Sequence, residues 1–178
     1  LISRKGFSHM YTNVYHVHPP TSVEAVGELK KYNLKAVDQT HRHHHIRTAN
    51  VESDGDAISS RIPLFFNSDV VISKAHVTNS MNTLYRNGNA DEVLFIHTGS
   101  GIFKSNFGNM ALTAGDYLVI PRGVIWHIDV KADMRILVTE SSSPIETHKR
   151  YRNKFGQLLE HSTFSERDIR TPNFVEPV

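Results

Sequence analysis

The residues best suited to chemistry are Glu92, in an apolar segment that ends at Gly99, and His127, four residues after a second glycine-containing apolar segment. Six residues separate Glu92 from Gly99, and in the second segment, Gly115 to Gly123, Pro121 stands two residues before the final glycine. This spacing predicts strand–turn–strand units, because glycine permits a sharp entry and proline with glycine sets the turn. Carboxylates and imidazoles that face inward from such units can hold a divalent iron with open coordination positions.

Both segments resemble the two motifs of the cupin proteins, but the metal ligands are depleted. The paired histidines that metal-binding cupins place ahead of the carboxylate are replaced by Tyr-Arg-Asn-Gly at residues 85–88, and Trp126 occupies the later histidine position. His127 follows one residue further on, and such a shift turns a side chain to the opposite face of a strand. We expect Glu92 to pair with Arg86, and Trp126 or His127 to fill the core. Glu92 and His127 are the residual metal candidates, and two ligands rarely hold a catalytic metal.

His16 and His18 form a second, weaker candidate pair. Their alternate spacing would place both imidazoles on one face of a strand, which is a chelating geometry. Pro19-Pro20 follows directly, and the sequence offers no third ligand nearby. A structural or interface role is the alternative, and it is favoured.

Short apolar runs rich in β-branched and aromatic residues fill the middle of the chain. Turn residues separate them, including Gly99-Ser100-Gly101, which we predict to be a hairpin turn. The connections are too short for crossover helices. The sequence therefore predicts an all-β, cupin-type double-stranded β-helix, a jelly-roll barrel, over residues 61–145.

The two flanks differ from this barrel. Residues 1–60 are predicted to form an irregular arm with short strands. Apolar and polar side chains alternate at residues 15–18, which predicts one of these strands. Residues 23–34 suit either a helix or an extended arm. Residues 146–178 are predicted to form an extended tail that packs on another segment or a neighbouring subunit. The chain begins at Leu1 without an initiator methionine, so we expect a longer parent protein.

Composition excludes several classes of function. The 178 residues have a formal net charge of +2 and no cysteine. The sequence contains no stripe of lysine and arginine that would indicate nucleic-acid binding. No apolar run approaches the length of a membrane span. The lack of cysteine excludes disulfides and thiolate metal sites, and it fits a cytoplasmic protein.

The order of segments along nearly the whole chain resembles the homogentisate 1,2-dioxygenase family. The resembling stretches are Gly6 to Ser8, Tyr15 to Thr21, Phe66-Asn67, Tyr85 to Asn87, Glu92 to Gly101, Gly115 to Gly123 and Tyr151 to Pro172. The resemblance implies a bicupin that opens the ring of a small aromatic acid with dioxygen and non-haem Fe(II). In that family the iron ligands and the catalytic histidine belong to the second, carboxy-terminal cupin. It thus implies no catalytic, cofactor or metal residue in this chain, a first cupin with a degenerate metal site, and a homo-oligomer.

Two alternatives remain at the level of sequence. One is a free-standing cupin without metal that binds a small molecule or acts as an interaction module. The other is a metal-dependent cupin that uses an atypical set such as His16, His18 and His127. Within the dioxygenase hypothesis, gentisate and related hydroxylated aromatic acids suit the implied iron as well as homogentisate does.

Overall fold

The computed structural model describes residues 2–3, 5–8, 11–29, 34–36, 41–51 and 53–176. Its regular elements are strands and three short 3₁₀ turns, at Thr48–Asn50, Lys149–Tyr151 and Glu166–Asp168. The strands are β1 (Ile2–Ser3), β2 (Tyr11–Thr12), β3 (Asp54–Gly55), β4 (Ile62–Phe66), β5 (Val70–Val77), β6 (Tyr85–Arg86), β7 (Asp91–Ser105), β8 (Gly108–Thr113), β9 (Tyr117–Ile120) and β10 (Ile125–Ser141). No α-helix occurs in these described ranges.

Eight of the strands form one sheet that curls into a half-barrel. Its main path runs β3-β5-β10-β7-β8, with β4 on β5, β6 on β10 and β9 on β7. All pairs are antiparallel except β3 with β5. β1 and β2 form a separate two-stranded ribbon. The predicted all-β, cupin-type fold is confirmed.

The long strands β7 and β10 are neighbours in the middle of this sheet. They pair along almost their full length, from Trp126 opposite Ser105 to Ser141 opposite Asp91. Side chains alternate between the two faces because the period of a strand is two residues. The inner face holds the core, whose buried apolar members on these strands are Leu94, Ile96, Phe103, Trp126, Ile128, Met134, Ile136 and Val138.

The prediction of a hairpin turn at Gly99-Ser100-Gly101 is wrong. These residues lie inside β7, where the pairing with β10 shifts register between Val130 and Arg135. Gly99 has φ +85°, and a Cβ there would lie 2.1 Å from the carbonyl oxygen of Asp133. The glycine therefore permits a β-bulge that bends two long strands, where the sequence suggested a turn between short ones.

The amino-terminal arm contains less structure than predicted. The strand expected at residues 15–18 is absent, and the short strand lies earlier, at Tyr11–Thr12. Residues 23–29 and 34–36 are not helical, which agrees with the extended alternative in the described part of that segment. Residues 30–33 lie outside the described residues.

The tail packs on the edge strand β8 of its own sheet. Asn173 exchanges two backbone hydrogen bonds with Asn109, at 2.9 and 3.0 Å. Arg170 forms an ion pair with Asp116 at 2.5 Å and donates to the carbonyl oxygen of Ala111. These contacts anchor residues 170–173 to the strand edge. The predicted division at residues 60 and 145 stays a prediction, although the large sheet runs from Asp54 to Ser141.

None of the helical turns in the described ranges has the length and apolar character that a membrane span requires.

Candidate functional site on the inner face of the sheet

Two glutamates face each other on the inner side of the sheet. Glu92 on β7 and Glu140 on β10 are register partners. Glu92 is in phase with the buried Leu94 and Ile96, so strand periodicity turns its carboxylate inward. The Glu92 side chain is 0% exposed, and that of Glu140 is 24% exposed. Like charges directly opposite each other on adjacent strands are destabilising, so this pair needs a cation.

Arg61 supplies that cation from the turn before β4. Its Nη1 lies 2.5 Å from Oε1 of Glu92 and 3.6 Å from Oε1 of Glu140. Its Nε donates to the carbonyl oxygen of Ala57 at 2.9 Å, which fixes the guanidinium. The Arg61 side chain is only 3% exposed. A guanidinium that is always charged thus bridges both carboxylates inside the sheet.

Asn87 and two aromatic rings complete this arrangement, which we call the Arg61 cluster: Arg61, Glu92, Glu140, Asn87, Tyr85 and Trp126. The side-chain nitrogen of Asn87 donates to Glu140 at 3.0 Å and lies 3.4 Å from Glu92. The Arg61 guanidinium stacks over Tyr85 at 5.7 Å from the ring centroid. Tyr85 in turn meets Trp126 edge-on at 5.4 Å. Arg61 and Glu92 are thus buried in the cluster, and Glu140 retains partial exposure.

Three polar atoms of the cluster are buried and have no hydrogen-bond partner among the described residues. They are Arg61 Nη2, Glu92 Oε2 and Trp126 Nε1. Leaving a buried polar group unpaired costs about 1–3 kcal/mol. Two donors and one charged acceptor therefore retain unused binding capacity within the cluster.

Burial raises the pKa of the Glu140 carboxyl above its usual range. The negative charge of Glu92 acts in the same direction, while the Arg61 guanidinium and the Asn87 hydrogen bond act against it. The net direction is upward because burial disfavours the charged form more than these two contacts favour it.

The structure does not unite the candidate ligands from the sequence. His127 lies on the face of β10 opposite to that of Trp126, with Nε2 3.6 Å from Oδ1 of Asp129, which also binds Lys104. His16 and His18 are exposed on the arm. Only Glu92 points into the sheet, so the set of His16, His18 and His127 is not assembled in this chain.

The expected partner of Glu92 was wrong. Arg86 is exposed on β6, and Glu92 pairs with Arg61 instead. Trp126 fills the core as one of the two expected residues and is 0% exposed. A two-residue strand places Tyr85 inward and therefore Arg86 outward.

The inner face does not fit an iron ion. Across the part of the chain that the structure describes, no three histidine, aspartate or glutamate side chains gather in a way that could hold a metal. Around Glu92, a dication would also be repelled by the guanidinium that already contacts the carboxylate. The neighbouring buried Asp91 accepts hydrogen bonds from the backbone of Arg122 and Ile145, which anchors two turns.

Sequence reasoning missed Arg61 and Glu140. Glu140 follows Ile136 and Val138 in strand phase, so an inward carboxylate was detectable once these were assigned to the core. Arg61 gave no such signal, because it lies in a turn and contacts Glu92 across 31 residues of sequence.

The chain is similar to a longer protein of Saccharolobus solfataricus. That protein is named "Putative dioxygenase SSO1533", and it is 37% identical over 169 residues, or 94% of this chain. The chain spans 44% of the length of that curated relative. No protein-family model matches the chain.

Several solved structures, two of them named as cupins, are similar to parts of the chain. A cupin-2 domain protein from Shewanella frigidimarina is 23% identical, with 46% of this chain and 79% of that chain covered at a TM-score of 0.42. A cupin protein from Bacteroides fragilis is 17% identical, with 57% and 92% covered at 0.43. KdgF from Halomonas sp. is 14% identical, with 47% and 80% covered at 0.42. The fold is assigned from the strand order and register of the chain itself, because these TM-scores are low.

Proposed function

We propose that this chain is the amino-terminal, metal-degenerate cupin portion of a homogentisate 1,2-dioxygenase-like protein. The observation that supports this most directly is the Arg61 cluster. In it the guanidinium of Arg61 pairs with the carboxylate of Glu92, which a metal-binding cupin would use as a ligand. The similarity to a longer dioxygenase-named relative over nearly the whole chain supports the same proposal. The chemistry would then take place on residues outside this chain.

In this proposal the whole protein cleaves the ring of a small aromatic acid with dioxygen. The resemblance implies Fe(II) in a carboxy-terminal cupin, and that ion would orient substrate and dioxygen side by side. The residues described here form a rigid sheet with its own core, and they would support the neighbouring domain. The absence of cysteine suits the reducing cytoplasm, where we place the protein.

The proposal is tested by comparing the 178-residue chain with the protein encoded by its complete gene. We expect the complete protein to contain iron and to consume dioxygen with homogentisate, because it would include the second cupin. The chain alone should contain no stoichiometric iron and show no turnover. Gentisate serves as the substrate control, since it differs from homogentisate by one methylene group.

Two results would contradict the proposal. Homogentisate oxidation by the 178-residue chain alone would place the chemistry in this sheet. A natural gene product with an intact mass near 20.2 kDa would favour the free-standing cupin that binds a small molecule or a partner protein.

A further inference from the structure

The outer face of the sheet, opposite the core, carries two rows of side chains that cross neighbouring strands. The first row crosses five strands and consists of Phe65, Ile72, Thr139, Val93 and Val119. The second row crosses four strands and consists of Lys74, Leu137, Phe95 and Tyr117. All but Lys74 and Thr139 are apolar or aromatic, and Tyr117 is 71% exposed. We call the two rows the outer apolar face, since a contiguous exposed apolar surface marks a site of interaction.

Two cations lie at this face. Lys74 belongs to the second row, and Arg135 points to the same side of β10 because it precedes Leu137 by two residues. Arg135 is exposed and forms no hydrogen bond or ion pair with a described residue. Burial lowers the pKa of the Lys74 ammonium, and the charge of Arg135 acts in the same direction, while Asp54 opposes it. Asp54 itself pairs with His76. The two cations therefore favour an additional negative charge beside them.

Residues 22–29 of the amino-terminal arm have the complementary character. They form no helix or strand, and their three large apolar side chains, Val23, Val26 and Leu29, are at least 75% exposed. These side chains recur at every third residue, which aligns them along one edge of an extended chain with three residues per turn. The charged residues of the segment are Glu24 and Glu28, one on each side of Val26. The segment thus combines an apolar edge with negative charge.

We propose that residues 22–29 of one chain dock on the outer apolar face of a second copy of the chain. The two glutamates of the segment then lie beside the lysine and the arginine of that face. The dimensions agree, because five strands are about 19 Å wide and the chain from Val23 to Leu29 spans about 19 Å when extended. A contact between copies is favoured, since Val26 and Leu29 are exposed in their own chain. The inference is independent of the dioxygenase proposal, because it concerns residues of this chain alone.

The test exchanges the charges of the two surfaces. One variant is Arg135→Glu, and the other is Glu24→Lys with Glu28→Lys. Each variant alone brings like charges together and should sediment near the monomer mass of 20.2 kDa, whereas the unaltered chain should sediment at no less than about twice that mass. An equimolar mixture of the two variants restores opposite charges in both directions and should recover the mass of the unaltered chain.

Charge changes in the tail act as matched controls. Arg167→Glu and the double variant Glu160→Lys with Glu176→Lys alter the same types of charge at exposed positions away from the outer apolar face. Both should retain the mass of the unaltered chain. Fluorescence of Trp126, which lies in the core, checks that each variant has the same Tm as the unaltered chain.

Three results would overturn the inference: a monomeric unaltered chain, association of either variant alone, or a mixture that remains monomeric. A monomeric unaltered chain would leave the face to another occupant, such as the remainder of a longer protein. If Arg135→Glu does not fold, the decision falls to Val26→Ser with Leu29→Ser, which changes exposed arm residues and leaves the sheet unaltered. That variant should be monomeric, and retention of the larger mass would refute the proposed contact.

Discussion

At the scale of single residues, Glu140 links the inner face of the sheet to pH. Its pKa is raised in the folded chain, first by burial and then by the Glu92 charge. The folded state therefore binds this proton more tightly than the unfolded state does. The resulting stabilisation is fully present below the unfolded pKa, near 4.5, and it is lost as the pH rises through the folded pKa.

Glu140→Gln should remove this dependence. Glutamine can still accept the hydrogen bond from Asn87, but it does not ionise against Glu92. We measure the free energy of unfolding of both proteins with urea. The value for Glu140→Gln minus that for the unaltered chain should increase as the pH rises above about 4.5. Glu160→Gln, at an exposed position, is the control. A constant difference between Glu140→Gln and the unaltered chain from pH 4 to 8 would exclude the effect.

Part of the candidate site could be predicted from single residues. Glu92 was correctly singled out as an inward carboxylate, because spacing and phase in a strand are local properties. Its partner was wrong, because Arg86 is near in sequence while Arg61 is near in space. Such long-range pairs depend on which strands become neighbours, and a pattern of residues along one strand contains no information about that.

At the scale of elements, Gly108 determines how the tail docks on β8. It has φ +119°, and a Cβ there would lie 2.1 Å from the carbonyl oxygen of Asn173. Gly115 also has a positive φ, +95°, but no atom of the described residues lies within 4 Å of its Cβ position. An alanine at Gly115 would therefore introduce backbone strain alone. An alanine at Gly108 would introduce the same kind of strain and a steric conflict with the tail.

Substituting each glycine by alanine tests this difference. Gly115→Ala should cost about 1 kcal/mol from backbone strain alone. Gly108→Ala should cost about 3 kcal/mol, because the Asn109–Asn173 pairing must also separate. Trypsin should then cleave after Arg170 faster in Gly108→Ala than in Gly115→Ala. Equal cleavage rates would show that the tail is not anchored at this glycine.

The positions of strands were easier to predict than the turns and bulges between or within them. β4, β5 and β9 were marked by β-branched and aromatic residues, whereas β8 was not predicted, since it contains no aromatic residue and Thr113 as its single β-branched one. Glycine with serine occurs at hairpin turns and at bulges, so residues 99–101 did not reveal that β7 continues through them. Only the partner strand decides between these two outcomes, since a bulge is a property of a pair of strands.

At the scale of the whole molecule, the sheet was predictable and the arm was not. Short apolar runs without room for crossover helices restrict the chain to an antiparallel all-β architecture. The arm lacks this constraint. Its apolar residues bury little within the chain, as Tyr15 at 93% and Val26 at 91% exposure illustrate.

These exposed apolar side chains suit the homo-oligomer that we propose from the family resemblance. We expect light scattering to give a mass that is a multiple of 20.2 kDa for the unaltered chain. The double variant Tyr15→Ser with Val26→Ser should shift this mass toward the monomer without changing the Tm of the sheet. A monomeric mass for the unaltered chain would refute the oligomer, and an unchanged mass for the variant would exclude the arm as its contact.

The β7–β10 ladder also has a consequence for synthesis of the chain. β7 leaves the ribosome well before β10, yet the partner of Asp91 is Ser141, at the far end of β10. At about 5–20 residues per second, translation of the intervening segment takes several seconds. During that interval β7 can pair only with β8 and β9, and its other edge has no partner strand. The nascent chain therefore presents an unpaired edge of an apolar strand to chaperones at this stage of its synthesis.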